Sequence, residues 1–341
     1  MTATMTANMT IPDRFHFVWD DNFFPYGAYL AIKSVAVQCR PGSIRLYKVP
    51  ALDDVPNFRR LRDEVPCLEP INIDLPAWLE EARLPCAATL LEANRFLKER
   101  NYYGSVSDLL RTVRLYLDGG IYLDTDTITL RDLAPLRQQE AFLAEEHILV
   151  SSQIWKKNSR WRYLRTSPLT LARDLCSRVP FGVTWFQWIS RFFVRAVHNA
   201  VMGFRPGYPL MRDALMRMAE VYPRRPERYP IMGPDTLQDL IAEKSYPGLK
   251  VYAPRYFSPL GPTMTYQYFH RRRPRTIDAM CRRVVSDDTM LVHWSNNGTI
   301  AKIMPREDAD LEGLRREQLF SRLALAAIRQ PGAAETLRTA G

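Results

Sequence analysis

The chain opens with an alternation of apolar and polar positions that changes period twice. In "RFHFVW", residues 14–19, Phe15, Phe17 and Trp19 share one face, which predicts a strand. "AYLAIKSVAVQC", 28–39, has helical spacing and stops before Pro41-Gly42. "SIRLYKV", 43–49, reads as a second strand. A β-α-β opening of this kind predicts a parallel sheet covered by helices. Residues 50–90 are proline-rich and read as irregular connections with short helices. Residues 89–104 are helical in pattern, and Ser105 to Leu117 forms a further helix that Gly119-Gly120 terminates. "IYLDTDTITL", 121–130, reads as a strand or strand edge.

From about 140 to 200 the pattern is helical and rich in Arg, Trp and Phe, and it predicts an excursion from the sheet. A helix over 234–244, late strands in "LKVYAP" and "TMLVHW", and a charged terminal helix over 306–329 complete the pass. There is no internal repeat, low-complexity tract or interdomain linker. The expected division is a flexible leader over 1–12, one α/β domain over 13–305, and a C-terminal helix and tail over 306–341.

Composition narrows the class. A hydrophobic fraction of 46% and a charged fraction of 25% are those of a globular protein, which excludes wholesale disorder. The net charge of +10, carried mostly by arginine, favours anionic partners such as nucleotide phosphates or a membrane surface. Nucleic-acid binding needs exposed aromatics among basic residues on a recognisable module, and none is visible, so no nucleic-acid partner is expected. The five cysteines are scattered without a CxxC pair, which argues against a disulfide framework or zinc cluster and for a reducing compartment. "MTATMTANMT" lacks the features of a signal peptide, and no run of about 18 apolar residues exists to span a membrane. "TWFQWISRFFVRAVHN", 184–199, reads either as an interfacial helix touching anionic lipid or, preferably, as a core helix with exposed arginines. "HRRRPR", 270–275, is a positive cluster suited to phosphate or lipid headgroups.

The densest chemistry lies in "SDLLRTVRLYLDGGIYLDTDT", 107–127. If the apolar run continues as a strand, Asp124 and Asp126 project to one side and Thr125 to the other. Two carboxylates that close repel each other. A hard cation such as Mg²⁺ or Mn²⁺ relieves that repulsion, taking oxygen ligands from one or two carboxylates and from substrate phosphates. The competing reading is a surface turn. In the preceding helix, Asp108 and Arg111 are three residues apart and share a face, while Leu109, Val113, Tyr116 and Leu117 form its apolar stripe. Ser105-x-x-Asp108 also matches a capping box.

Taken together, Ser107-Asp108, Arg111, Gly119-Gly120, Tyr122 and Asp124-x-Asp126 resemble the sugar-binding region of DxD glycosyltransferases. That family includes yeast-type α-mannosyltransferases, bacterial capsule and lipopolysaccharide glycosyltransferases, and the catalytic domains of clostridial glucosylating toxins. The resemblance implies a GT-A fold, a nucleotide-sugar donor (UDP-hexose or GDP-mannose), Mn²⁺ or Mg²⁺, and retention of anomeric configuration. It implies that Trp19 stacks on the base, Asp126 ligates the metal directly, and Asp124 holds the ribose or the metal through water. Asp108 and Arg111 would bond donor sugar hydroxyls, with Arg111 also near the phosphate and Tyr122 among the donor-binding residues. "HNAVMGFRPGYPLM" places Asn199 and Ala200 near the transferred sugar, and "IMGPDTL" resembles a family turn. "LVHWSNNG" resembles a C-terminal family element carrying His293, Trp294 and Ser295. That element lacks the usual second tryptophan, so the third metal ligand stays open among His293, Ser295 and Asn297. Tyr208 stands where the family often has histidine.

No nucleophile stands out, which fits a front-face reaction in which the leaving phosphate helps deprotonate the acceptor. The expected acceptor is a polysaccharide or glycolipid, as in capsule or lipopolysaccharide synthesis. The expected location is cytoplasmic, with peripheral contact at the inner membrane as one version of that reading. Two alternatives remain: a toxin-like transferase acting on protein, and a phosphatase whose nucleophilic aspartate follows the first strand. Against the phosphatase, Ile128 falls where that motif has Thr or Val.

Overall fold

A computed structural model of the protein describes residues 10–148, 160–222, 233–296 and 300–339. Strands β1 (Arg14–Trp19) and β2 (Ser43–Lys48) flank helix α1 (Tyr26–Cys39), as the opening pattern predicts. The central sheet has seven strands in the order β3-β2-β1-β4-β7-β6-β8. Here β3 is Leu68–Asn72, β4 Gly120–Leu123, β6 Ala141–Ile148, β7 Val194–Phe204 and β8 Leu249–Tyr252. All run parallel except β7, which is antiparallel to both of its neighbours. The expected α/β architecture with a mainly parallel sheet is therefore present. A second ribbon pairs β5 (Thr127–Thr129) with β9 (Leu291–His293).

The sheet is apolar on both faces because helices cover both. On one side Phe15, Phe17, Ile44 and Leu46 pack with α1. On the other, Val18, Tyr47 and Tyr122 pack with Leu109, Leu110 and Val113 of α5 (Tyr103–Asp118). Between them in sequence come α2 (Pro56–Glu64), α3 (Leu75–Ala82) and α4 (Ala87–Glu99).

Gly119 and Gly120 end α5 at positive φ, +62° and +105°. A Cβ on Gly120 would stand 2.7 Å from the Arg14 carbonyl oxygen and 2.6 Å from His16 Nε2. Only glycine lets β4 lie this close to β1. His16 is buried, and burial lowers its pKa to about 3, so it is neutral. Its Nε2–H donates to the Gly119 carbonyl at 2.6 Å, and its Nδ1 accepts from the Tyr47 hydroxyl at 3.0 Å.

Several expectations need correction. β3 lies inside the stretch read as irregular; it contains Pro70, which an edge strand tolerates because one of its sides needs no donor. The helix expected over 89–104 ends at Glu99, and α5 begins at Tyr103 rather than Ser105. Ser105 therefore lies inside the helix, with Tyr102 at its N-cap, and the capping box does not form. The excursion over 140–200 begins and ends in strands β6 and β7, with α6 (Arg160–Arg178) and α7 (Gly182–Ile189) between them. The 184–199 segment is not one helix: α7 gives way to a 3-10 turn at Ser190–Phe192 and then to β7.

The remaining helices are α8 (Pro209–Val221), α9 (Pro234–Glu243), α10 (Pro254–Phe257), α11 (Thr265–Phe269) and α12 (Pro274–Val284). Beyond residue 305 the chain forms α13 (Asp308–Leu314), α14 (Leu319–Arg329) and α15 (Ala333–Thr339). The single helix expected over 306–329 is thus divided, and Leu319, Phe320, Leu323 and Ala324 of α14 are buried in the core shared with α1. Gln38 on α1 donates to the Ala327 and Gln330 carbonyls, both at 2.7 Å. Of the leader, residues 1–9 lie outside the described residues, while Ile11 is buried and bonds to the Arg137 carbonyl at 3.1 Å. All five cysteines are free thiols. Among the described residues no helix is long and apolar enough to cross a membrane.

Candidate active site

The strand order reverses between β1 and β4, where crossover connections leave in opposite directions and open a crevice at the strands' carboxyl ends. Trp19 ends β1 there with Asp20 after it, and Asp124 follows β4. A cavity of about 980 Å³ occupies this crevice. It is lined by Trp19, Asp108, Arg111, Asp124, Asp126 and Asn199, among others.

The two aspartates meet by a route different from the expected one. β4 stops at Leu123, and Asp124 to Asp126 form a turn into β5 rather than a continued strand. The Asp124 N–H donates to the Ala200 carbonyl at 2.8 Å, and the Thr127 hydroxyl donates to the Asp124 carbonyl at 2.8 Å. The turn reading was correct for the backbone, but the turn faces the cavity. In the β5–β9 ribbon Thr127 pairs with His293, which brings that imidazole beside the turn. Donor atoms of Asp124, Asp126 and His293 all lie within 4.8 Å of one another. His293 Nε2 is 3.2 Å from Asp126 Oδ1, and the Asn296 N–H donates to Asp126 Oδ2 at 2.6 Å.

This donor set fits a divalent cation. Two carboxylates and an imidazole converge, and among the described residues buried Asp126 Oδ1 faces only His293 Nε2. Burial acts to raise the Asp126 pKa, but His293 and two backbone N–H groups outweigh it and hold the carboxyl below its usual range. Burial likewise acts against charge on His293, yet Asp126, helped by Glu146 and Asp124, raises it to about 9. In the metal-free protein the two form an ion pair.

Beside this turn, the Arg111 guanidinium joins the helix to the strand. It contacts Asp124 Oδ1 at 3.0 Å and Asp108 Oδ1 at 3.5 Å, and it donates to the Asn199 carbonyl at 2.8 Å. It lies over the Tyr122 ring at 4.3 Å, and the Tyr122 hydroxyl donates to Asp124 Oδ1 at 2.7 Å. Asn199 Nδ2 donates to Asp108 Oδ1 at 2.6 Å. Burial of Asp108 raises its pKa to about 6, although Arg111 and Asn199 oppose the shift. The Arg111 guanidinium stays charged because Asp124, Tyr122 and Asp108 outweigh its burial.

The other expected residues fall as follows. Trp19 lines the cavity, half-buried, with its indole edge against Phe24 and its Nε1–H donating to the Phe23 carbonyl at 2.5 Å. Ala200 reaches the turn through its carbonyl, while its methyl is in the core. Ser295 adopts φ +53°; its hydroxyl is buried and makes no hydrogen bond among the described residues. Asn297 lies outside the described residues. Tyr208 is buried away from the cavity and donates to the Pro247 carbonyl at 2.8 Å.

Three contributors escaped sequence reasoning. His198 stacks on His293 at 5.4 Å, and burial keeps it neutral. Glu146 is half-buried with its Oε2 inside and unpartnered among the described residues, and its charge acts on His293. A Cβ on Gly233 would stand 2.5 Å from Asn199 Nδ2 and closer still to the Asp108 carboxylate. Of these, only Gly233 had a signal, its place in "IMGPDTL". The other two depend on strand register between distant segments.

A mainly parallel α/β sheet thus carries an Asp-x-Asp turn in its switch-point crevice. Residues 1–143 of the 341 match the family described as "Glycosyltransferase sugar-binding region containing DXD motif". Among solved structures the chain is similar to "PaToxG Glycosyltransferase", at 13% identity over 96% of this chain and 87% of that one, with a TM-score of 0.47. It is also similar to the UDP-bound glycosyltransferase domain from the YGT toxin, at 11% identity over 97% and 99% of the two chains, TM-score 0.42. The WbbM bifunctional glycosyltransferase aligns at 10% identity, with all of this chain covering 53% of that one, TM-score 0.43. No curated protein matches the sequence.

Proposed function

We propose that the protein is a retaining, metal-dependent transferase that moves a hexose from a nucleotide-sugar to a carbohydrate or glycolipid acceptor. One observation carries this reading: the Asp124, Asp126 and His293 donor atoms converge on a cavity wall that also presents Asp108, Arg111 and Asn199. The donor is a UDP-hexose or GDP-mannose, and the cation is Mn²⁺ or Mg²⁺. When bound, the cation would be held by Asp126 and His293, with Asp124 directly or through water, and would neutralise charge on the diphosphate.

The chain's own residues do the rest. Trp19 offers an aromatic face to the base. Asp108 accepts from sugar hydroxyls in its ionised form, and its bond from Asn199 fixes its orientation. Arg111 is held by Asp124 and the Asn199 carbonyl, so its charge is aimed before substrate arrives and costs no reorganisation in the transition state. As the glycosidic C–O bond to the diphosphate breaks, an acceptor oxygen attacks from the same face, and its proton passes to a departing phosphate oxygen. Among the described residues, the Asp108 and Asp124 carboxylates on the cavity wall are held by Asn199 and Arg111, which supports attack by the acceptor itself. A phosphatase has less support, since the aspartate pair follows β4 and Asp124 is tied to Arg111 and Tyr122.

The test is a thermal-shift panel of nucleotide-sugars with and without Mn²⁺, followed by product analysis with the best donor. Metal-dependent stabilisation by one donor is expected. No response to any donor overturns the reading.

A further inference from the structure

The stretch from Leu175 to Arg212 contains five arginines and no carboxylate. Within it, α7 and the turn after it carry Phe181, Trp185, Trp188 and Phe192, at the i, i+4, i+7 and i+11 positions of one face. Those four are 69%, 48%, 59% and 56% exposed, while Val183, Phe186 and Ile189 on the opposite face are buried. Four large aromatics within twelve residues, all in water, form a patch that a soluble surface does not normally leave open. Leu171 and Leu175, one turn apart on α6, which packs against α7, are also exposed.

Cations rim the patch. The Arg191 guanidinium lies over both the Trp188 and Phe192 rings, at 4.4 and 4.9 Å. Gln187, between the two tryptophans, donates to the Arg283 carbonyl at 2.9 Å, so the basic end of α12 abuts α7. Arg272 donates to the Arg178 carbonyl at 3.2 Å, which places the 270–275 cluster at the end of α6. Arg271, Arg273, Arg275, Arg282 and Arg283 are exposed. Trp and Phe flanked by Arg are the side chains that settle at the boundary between headgroups and acyl chains, and the charge selects anionic lipid.

We infer that the α7 face, with its rim of arginines, is a docking surface for an anionic lipid bilayer. β7 runs from this patch into the cavity: Val194 to Asn199 is six residues of strand, roughly 17 Å. A chain docked by α7 therefore holds its sugar-transfer cavity close to the membrane plane. The inference stands on the surface alone, so vesicle binding and sugar transfer fail independently.

The test is co-sedimentation of the full chain with phosphatidylcholine vesicles, with and without phosphatidylglycerol, at low and high salt. Binding to the phosphatidylglycerol vesicles, weakened by salt, is expected. The W185S/W188S/F192S variant should lose about tenfold or more in partitioning while keeping its Tm, since these side chains lie outside the core. If that variant does not fold, W188S and R191E singly should each lower partitioning. Equal binding to both vesicle types, or no loss in the variants, overturns the proposal. So does a dimer in sedimentation velocity that the variants dissolve, because a second copy would then be the occupant.

Discussion

The backbone N–H of Asn296 donates to Oδ2 of Asp126 at 2.6 Å, across 170 positions of sequence. One oxygen of that carboxylate is fixed by the C-terminal segment, and the other is turned to His293 and the cavity. Two segments far apart in sequence therefore meet on one side chain.

Removing that carboxylate's charge is expected to abolish transfer and to cost the metal-free protein the stability its ion pair with His293 contributes. Asp126→Asn keeps an acceptor for the Asn296 N–H but loses its ion pair with His293. Activity should fall by about 10²–10³-fold, and stabilisation by nucleoside diphosphate should no longer depend on Mn²⁺. Single-turnover kinetics and thermal shift check this; a variant with wild-type activity rejects Asp126 as a ligand.

Metal binding should release a proton. His293 in the metal-free protein is charged up to a pKa of about 9, and a metal ligand must be neutral. Near pH 7.5, calorimetry in two buffers of different ionisation enthalpy should report release of about one proton per Mn²⁺ bound. The stability side has the opposite sense. A raised histidine pKa contributes stability fully below its unfolded value of 6.5, and that stability is lost as pH rises through about 9. The metal-free Tm should decline across that window, and His293→Gln should remove the decline.

Asp108 predicts an acidic limb for the reaction. With its pKa at about 6, it is ionised above that value and protonated below, so kcat/KM should fall as pH drops through about 6. Stability runs the other way: a buried carboxylate with a raised pKa costs folding free energy when charged and none when protonated. Asp108→Asn retains the partner for Asn199 Nδ2. It should lose activity about 10²-fold, with a Tm at pH 7.5 at or above wild type.

Gly120→Ala tests the strand junction. The alanine would have to hold φ near +105° with its Cβ 2.7 Å from the Arg14 carbonyl. A loss of about 2 kcal/mol or more is expected, with β4 displaced from β1. A denaturant midpoint equal to wild type would show that the junction relaxes freely.

Much of this architecture was legible in the chain. The first β-α-β unit, the Gly119-Gly120 stop and the helix bearing Asp108 and Arg111 followed from periodicity and turn chemistry. The acidic turn's backbone was misjudged because an apolar run carries no mark of where pairing ends, and here it ends at Leu123. The first half of β6 and much of β7 are buried on both faces, so they lack the alternation that distinguishes a strand from a helix. Glu146 and His198 belong to the site only through pairing between those strands, which local pattern cannot encode.

The region matching the sugar-binding family stops at residue 143, three residues into β6. The strand that fills the gap between β4 and β6 comes from residues 194–204, and the partner of β5 comes from 291–293. A polypeptide ending at the match would carry its acidic turn on a bare sheet edge, prone to pair with its neighbours. Holding the acidic turn in place therefore requires strands from residues 194–204 and 291–293, far beyond the matched region.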